Sequence, residues 1–214
     1  MRVPTRPTIS LVEPTLEGLT AYANALAAGW SPDSERDASA ERLTALLLDP
    51  AAFLRDIAGH EPTLTLDDGS VVPRLPTRAY WIWDGEFCGT INLRWQPGTE
   101  DLPPYVSGHV GYTVVPWKRR RGYATRALAM LLPLARAEGM PRILLTTDPD
   151  NLASRRVIEA NGGVLSGTGP HPWAKGKVKL HYWVPTDSGA SVAGSAGPAG
   201  TVRAAGRGRG LSGP

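Results

Sequence analysis

The chain is poor in cysteine: Cys88 is the only one among 214 residues, which excludes an intramolecular disulfide and any metal site built from several thiolates. It sits in "DGEFCGTINL" with no Cys-x-x-Cys or HExxH around it, and reads as a packed side chain. No metal is expected. Long apolar runs are absent as well: nowhere do about 18 apolar residues follow one another without a charge. The opening "MRVPTRPTISLVEP" has no continuous apolar segment of the kind an export signal needs. No membrane partner is expected, and cytoplasmic residence is. Two familiar phosphate loops are missing too. There is no G-x-x-x-x-G-K-[ST], and no G-x-G-x-x-G stands between a strand and a helix.

An excess of one charge is also lacking. The formal net charge is +3, but the last 28 residues hold Arg203, Arg207 and Arg209 against Asp187, which leaves +1 for everything before them. Global charge points to no nucleic-acid partner, so any basic site must be local. Gly, Ala, Ser and Pro make up 20 of those 28 residues. Such a segment buries too little to offset its backbone entropy. The expectation is a single domain over residues 1–186 and a disordered tail over 187–214.

What is present is a change of hydrophobic period along the chain. "PTLEGLTAYANALAA" (14–28) and "SAERLTALLLDPAAFLRDIAG" carry apolar residues at helical spacing, the second interrupted at Pro50. "RAYWIWDGEFCGTINLRW" predicts two antiparallel strands, about 78–83 and 87–95, around the Asp84-Gly85 turn. "GHVGYTVV" is a further strand, residues 122–138 a helix kinked by Pro133 and closed by Gly139, and "RILLTT" (142–147) a buried strand. "NLASRRVIEAN" (151–161) is a helix and "KVKLHYWV" (177–184) a closing strand. The order predicts mixed α/β architecture with one parallel crossover.

"WKRRRGYATRAL" sets a basic run between a strand and a helix. A charge run is usually a solvated face, but here the backbone amides and the positive end of the helix dipole converge on one volume. Gly122 keeps that volume clear of a Cβ, and Ala124 keeps the first turn thin. A pyrophosphate fits such a loop.

Arg119-Arg120-Arg121-Gly122-Tyr123-Ala124 resembles the [R/Q]-x-x-G-x-[G/A] loop of the GNAT superfamily of N-acetyltransferases, and "DPDNLASRRVIEANGG" resembles the second signature of that superfamily. The likeness covers residues 78–184 well and the N-terminal helices more loosely. It implies a GNAT-like α/β fold of α+β type: a mixed, mostly antiparallel central sheet with a splayed parallel strand pair and flanking helices. It implies acetyl-CoA as co-substrate, its pantetheine arm lying between "GHVGYTVV" and "RILLTT". A bulge near Val114 and Val115 is expected to free an amide for the thioester carbonyl. Backbone amides of Arg119, Arg120, Arg121, Gly122, Tyr123 and Ala124, with the Thr125 hydroxyl, are expected to bind the pyrophosphate, and an arginine the 3′-phosphate.

In that family the amide of the residue at Asn151 contacts pantetheine, and Ser154 faces the same channel; Asn151 is equally a good helix cap. Many members place a Tyr seven residues after this Asn as the acid for the departing thiolate. Ile158 stands there instead, which puts the usual acid in doubt.

His109 and Tyr112, on the strand beside the expected acetyl site, and Glu100 in the loop before it are the candidate catalytic residues. A lone strand His is as readily a structural residue, and strand alternation puts His109 and Tyr112 on opposite faces. The acceptor is expected to be a small-molecule or peptide amine, shaped by residues 14–60 and 96–107, where Trp30, Trp95 and Tyr105 stand. The chain is expected as monomer or homodimer. A GNAT-like module that binds acyl-CoA without turning it over is the alternative the missing Tyr suggests; a nucleic-acid-binding module, through "KRRR" and the Arg-Gly tail, is a further one that the near-neutral core speaks against.

Overall fold

The computed structural model describes residues 8–66, 68–171, 174 and 176–187. The expected tail, from residue 188 on, lies outside them. A four-stranded antiparallel sheet forms from β1 (Ser10–Val12), β4 (Thr77–Trp83), β5 (Phe87–Arg94) and β6 (Val110–Val114), in that order. A three-stranded antiparallel sheet, ordered β7-β9-β8, forms from β7 (Arg142–Thr147), β8 (Val164–Pro170) and β9 (Val178–Pro185). The small hairpin β2 (Thr63–Thr65) and β3 (Val71–Pro73) stands apart.

Helices α1 (Leu19–Ala27), α2 (Ser39–Leu48) and α3 (Pro50–Ile57) precede the first long strands, while α4 (Tyr123–Ala137) links β6 to β7 and α5 (Leu152–Glu159) links β7 to β8. Pro50 ends nothing by itself: it is the first residue of α3, whose Asp49 cap accepts the Ala52 amide at 2.9 Å. Pro133 does not interrupt α4, which runs through it to Ala137.

The β4–β5 hairpin sorts its side chains by pleat, and this divides the interior in two. On one face Tyr80, Ile82, Ile91 and Leu93 pack with Leu128 and Leu131 of α4 and with Ile158 of α5. On the other face Trp81 and Phe87 pack with Leu19, Tyr22 and Leu26 of α1, with Trp30, and with Phe53 of α3. Tyr22 is the hub of this second cluster, its ring edge-on to Trp30 at 5.1 Å and to Phe87 at 5.4 Å.

Four strands lie where the sequence pattern shows none. β1, β2 and β3 have three residues each, too few for a period to register. β8 reads "VLSGTGP" and is mostly exposed; pairing with β9, from Val164↔Trp183 to Pro170↔Val178, makes it a strand, not its own propensity.

Candidate active site

β6 and β7 belong to different sheets, and the opening between them begins at His109. The His109 amide donates to the Leu144 carbonyl at 2.8 Å, and the Leu144 amide donates to His109 Nδ1 at 2.9 Å. Gly108 makes the close approach possible, since a Cβ there would stand 3.1 Å from the Leu144 carbonyl oxygen. Beyond this junction no ladder joins the two strands.

The lining of the opening follows from β-ladder alternation. Arg94 N–H donates to the His109 carbonyl and Val115 N–H to the Cys88 carbonyl. In the unbroken register between them, from Leu93↔Val110 to Gly89↔Val114, every second residue of β6 bonds to β5. The amides of Tyr112 and Val114 therefore turn the other way, towards β7. The bulge expected at Val114 and Val115 is absent: the irregularity lies between β4 and β5, where Ile82↔Gly89 is followed by Trp83↔Phe87, and Val115 keeps a ladder bond. The Val114 amide is aimed into the opening by alternation and needs no extra residue.

From β6 the chain passes through a 3-10 turn, Pro116–Lys118, into the basic loop. Arg119, Arg120 and Arg121 are exposed. Arg120 has φ 60° and Gly122 φ 77°, so two residues in the left-handed region turn the chain into α4. The glycine is required by this dihedral; a Cβ at Gly122 would meet nothing within 4 Å.

The Arg119 amide donates to the Pro116 carbonyl, and the next loop or cap amide with a backbone acceptor is that of Arg126, bonded to Gly122. Arg120, Arg121, Gly122, Tyr123, Ala124 and Thr125 thus present consecutive amides that donate to no protein acceptor among the described residues. The first turn of a helix always leaves such donors open; the left-handed entry adds more. Arg119 is removed from the amide set, and its Nε instead donates to the Val114 carbonyl at 2.9 Å, tying the loop to the strand end.

Lys118, which the sequence leaves as one of a charged run, is buried. Its ammonium bonds Asp84 at 2.7 Å and Glu86 at 3.0 Å, and Tyr123 donates a short hydrogen bond to the other Asp84 oxygen. Burial by itself disfavours both charges, but the Lys118 and Tyr123 hydrogen bonds outweigh it for Asp84 and hold its carboxyl well below the usual range. The bonds to Asp84 and Glu86 likewise raise Lys118. Cys88 sits beside this network, its thiol pushed up to about 12 chiefly by burial, which leaves it inert.

On α5, Asn151 is the N-cap, its Oδ1 accepting the Ser154 amide at 3.0 Å. The Ser154 hydroxyl lies 2.8 Å from the Tyr112 hydroxyl, so β6 and α5 are linked by a pair of hydroxyls. Burial pushes the Tyr112 phenol up to about 12, and it stays protonated. Ile158 is fully buried in the core, so this helix position supplies no hydroxyl.

Two candidates sit elsewhere. His109 is fully buried, and with Nδ1 taken by Leu144 its proton resides on Nε2, which has no partner. Burial foremost, with the Arg94 charge, lowers its pKa to about 4. It lines neither cavity described below, and its place is that of a strut where the strands part. Glu100 forms a forked ion pair with Arg142 at the start of β7, Oε2 to Nη2 at 2.8 Å, and this guanidinium lowers its pKa. It borders a smaller cavity of about 310 Å³ with Trp183 and His181.

A cavity of about 1270 Å³ lies on the α1–α3 side of the sheet. Its border includes Trp81, Thr90, Asn92 and Arg94 from the sheet, and Asp148 and Asp150 beyond β7. Tyr105 borders it as well. Trp30 is buried in the second cluster, and Trp95 packs against the first. Glu35, in the loop before α2, bonds Lys179 of β9 at 2.6 Å, and Asp148 bonds the same ammonium at 3.0 Å.

The "Acetyltransferase (GNAT) domain" family profile matches residues 34–164, more than half of the chain. The chain belongs to the GNAT acetyltransferase family, whose co-substrate is acetyl-CoA. A search of curated proteins found no match. Among solved structures, RimJ of Mycobacterium smegmatis in complex with CoA-disulfide is similar at 20% identity and TM-score 0.60, over 83% of this chain and 81% of that one. RimL, a ribosomal L7/L12 alpha-N-protein acetyltransferase in complex with coenzyme A, is similar at 15% identity and TM-score 0.54, over 85% and 96%. A chimera of spermidine N-acetyltransferase SpeG from Vibrio cholerae and hSSAT matches at 12% identity and TM-score 0.53, over 83% and 95%. At these identities the likeness speaks for the fold. Among the described residues no helix is long and apolar enough to cross a membrane.

Proposed function

We propose that this protein transfers the acetyl group of acetyl-CoA to a primary amine by direct attack, with the co-substrate lying from the basic loop into the opening between β6 and β7. The observation that carries this reading is the run of six open amides from Arg120 to Thr125 at the mouth of α4, adjoining a strand whose Val114 amide faces the same opening. Amides and helix dipole together suit a diphosphate. The exposed side chains of Arg120 and Arg121 add charge-assisted contacts to phosphate, and the Thr125 hydroxyl adds another donor. The Asn151 amide group and Ser154 border the pantetheine path.

In the reaction the neutral amine nitrogen forms a bond to the carbonyl carbon while the carbonyl oxygen takes negative charge, which the Val114 amide stabilises. The carbon–sulfur bond then breaks, and the CoA thiolate takes a proton. The Tyr112–Ser154 hydroxyl pair is the donor, since Ile158 offers no phenol. The proton lost by the attacking nitrogen passes to water in the 1270 Å³ cavity. Positioning contributes most of the rate. Among the similar proteins, RimL is a ribosomal L7/L12 alpha-N-protein acetyltransferase and SpeG a spermidine N-acetyltransferase; here the acceptor is an amine that enters by the large cavity.

Calorimetry with acetyl-CoA, and release of CoA thiol across a panel of amines, test this reading. Micromolar binding with thiol release for at least one amine is expected. Binding without release for every amine would instead identify an acyl-CoA sensor, and no binding at millimolar acetyl-CoA would sink both.

A further inference from the structure

The floor of the large cavity holds a guanidinium that the fold leaves half-satisfied. Arg94, at the end of β5, donates through Nε to the Gly108 carbonyl at 2.9 Å, and Nη1 and Nη2 meet no acceptor among the described residues. No carboxylate lies within ion-pair distance of it there. Burial pulls its pKa below the ordinary arginine value with no charge partner to oppose the shift. The residue is part-buried, and the fold holds its charge beside the junction of β6 and β7 without a carboxylate partner.

Its neighbours are donors as well. Asn92, two residues earlier on the same face, uses Oδ1 to accept the Gly111 amide at 3.3 Å, so its NH2 group remains for another acceptor. Gly111 keeps the space open: a Cβ there would lie 3.3 Å from Arg94 Nη2 and 3.4 Å from Asn92 Oδ1. Further in, Arg42 and Arg74 share the single carboxylate of Asp56, at 3.1 and 2.5 Å, which leaves that group one positive charge in excess. The carboxylates of Glu35 and Asp148, by contrast, already share Lys179. Asp33 and Asp150 also line the cavity, so its charges balance as a whole; beside the sheet, however, Arg94 has no carboxylate partner and Asn92 has a spare donor.

We propose that Arg94 and Asn92 bind an anionic oxygen group, a carboxylate or a phosphate, carried by the acceptor amine. The inference rests on the acetyltransferase reading and narrows its substrate class. A guanidinium fork with a neighbouring amide presents parallel N–H donors, which match the paired oxygens of either anion. A polyamine offers this fork no acceptor.

The experiment follows CoA-thiol release by the intact protein with matched amines: glycine against glycinamide, phosphoethanolamine against ethanolamine, and spermidine. The expected result is that one anionic member exceeds its neutral counterpart in kcat/KM by roughly tenfold or more, the range of a hydrogen bond to a charged group. Which pair shows it distinguishes carboxylate from phosphate. Arg94→Met is expected to remove that preference through KM, Arg94→Lys to keep part of it, and Asn92→Ala to weaken it. Acetyl-CoA affinity of each variant, measured by calorimetry, is expected to stay within about twofold, which separates loss of acceptor from loss of fold. Preference for the neutral amines or spermidine, or no turnover of any anionic amine by protein that binds acetyl-CoA, overturns the inference and leaves the transferase reading standing. Absence of acetyl-CoA binding is the distinct result that removes the transferase reading itself.

Discussion

Lys118 and Asp84 form an ion pair of 2.7 Å whose side chains are only 8% and 12% exposed. It joins the turn of the β4–β5 hairpin to the segment that leads into the basic loop, and Tyr123, the first residue of α4, bonds the same carboxylate. The entry and the exit of the loop are thus held by one aspartate. The exposed side chains of Arg120 and Arg121 between them can meet a ligand because their backbone is fixed elsewhere.

Removing Asp84 leaves the Lys118 ammonium buried with only the exposed Glu86 and the weakly accepting Cys88 sulfur as partners. Asp84→Ala is expected to destabilise the protein by about 3 kcal/mol, the penalty of breaking a buried pair, and to weaken acetyl-CoA binding by loosening the loop. The depressed carboxyl also sets a pH dependence. A group whose folded pKa lies below its unfolded one stabilises the fold above the unfolded value, about 3.9 for Asp. That stability is lost as pH falls from there towards the folded value. Thermal melts from about pH 5 down to about pH 2 should show a steeper acid loss in wild type than in Asp84→Asn.

Gly122 has φ 77°, where an L side chain is strained by about 1 to 2 kcal/mol. Gly122→Ala is expected to lose about that much stability, or to relax the loop and weaken acetyl-CoA binding; Gly122→Val should abolish binding. Open space surrounds the position, so the loss is one of backbone geometry. Calorimetry alongside a melting curve separates the two, and unchanged affinity in Gly122→Val would remove the loop from the site.

His109 is expected to matter for stability more than for the reaction's pH profile. Its folded pKa of about 4 lies below the ordinary 6.5. The neutral ring therefore stabilises the fold fully above about pH 6.5, and that contribution drains away as pH falls from there to about 4. His109→Asn can still accept the Leu144 amide and should flatten this part of the curve. Between pH 6.5 and 8.5 its rate profile is expected to match wild type; a shifted limb there would return His109 to the chemistry.

The parts legible in the sequence are those that rest on local pattern. "RILLTT" is β7 to the residue, and the basic loop opens α4 as its spacing requires. Contacts made across the fold were hidden. Lys118 looks like any member of a charged run until the Asp84-Gly85 turn, some thirty residues earlier, folds against it. Arg94 ends a strand with no sign that β6 will leave its fork unpaired. His109 and Glu100 were legible as titratable groups near the right strand, but burial against Leu144 and pairing with Arg142 belong to tertiary structure.

The hydroxyls of Tyr112 and Ser154, 2.8 Å apart, bear the proton-transfer part of the proposed mechanism. A thiolate is a moderate leaving group, so its protonation contributes less than the roughly 100- to 10,000-fold typical of general acid catalysis. Tyr112→Phe and Ser154→Ala are each expected to lower kcat by about tenfold with little change in acetyl-CoA affinity. Because either oxygen can donate to the other, the two substitutions act on one relay, and the double variant should lose scarcely more than the worse single one. Two independent losses that multiply would mean separate roles, one for the phenol on β6 and another for the helix hydroxyl. Since Tyr112 stays protonated up to about pH 12, the alkaline limb of the rate profile should not move in Tyr112→Phe. A limb that did move would show that the phenol ionises during turnover, and so that ligand binding restores to it the solvation or charge the free protein withholds.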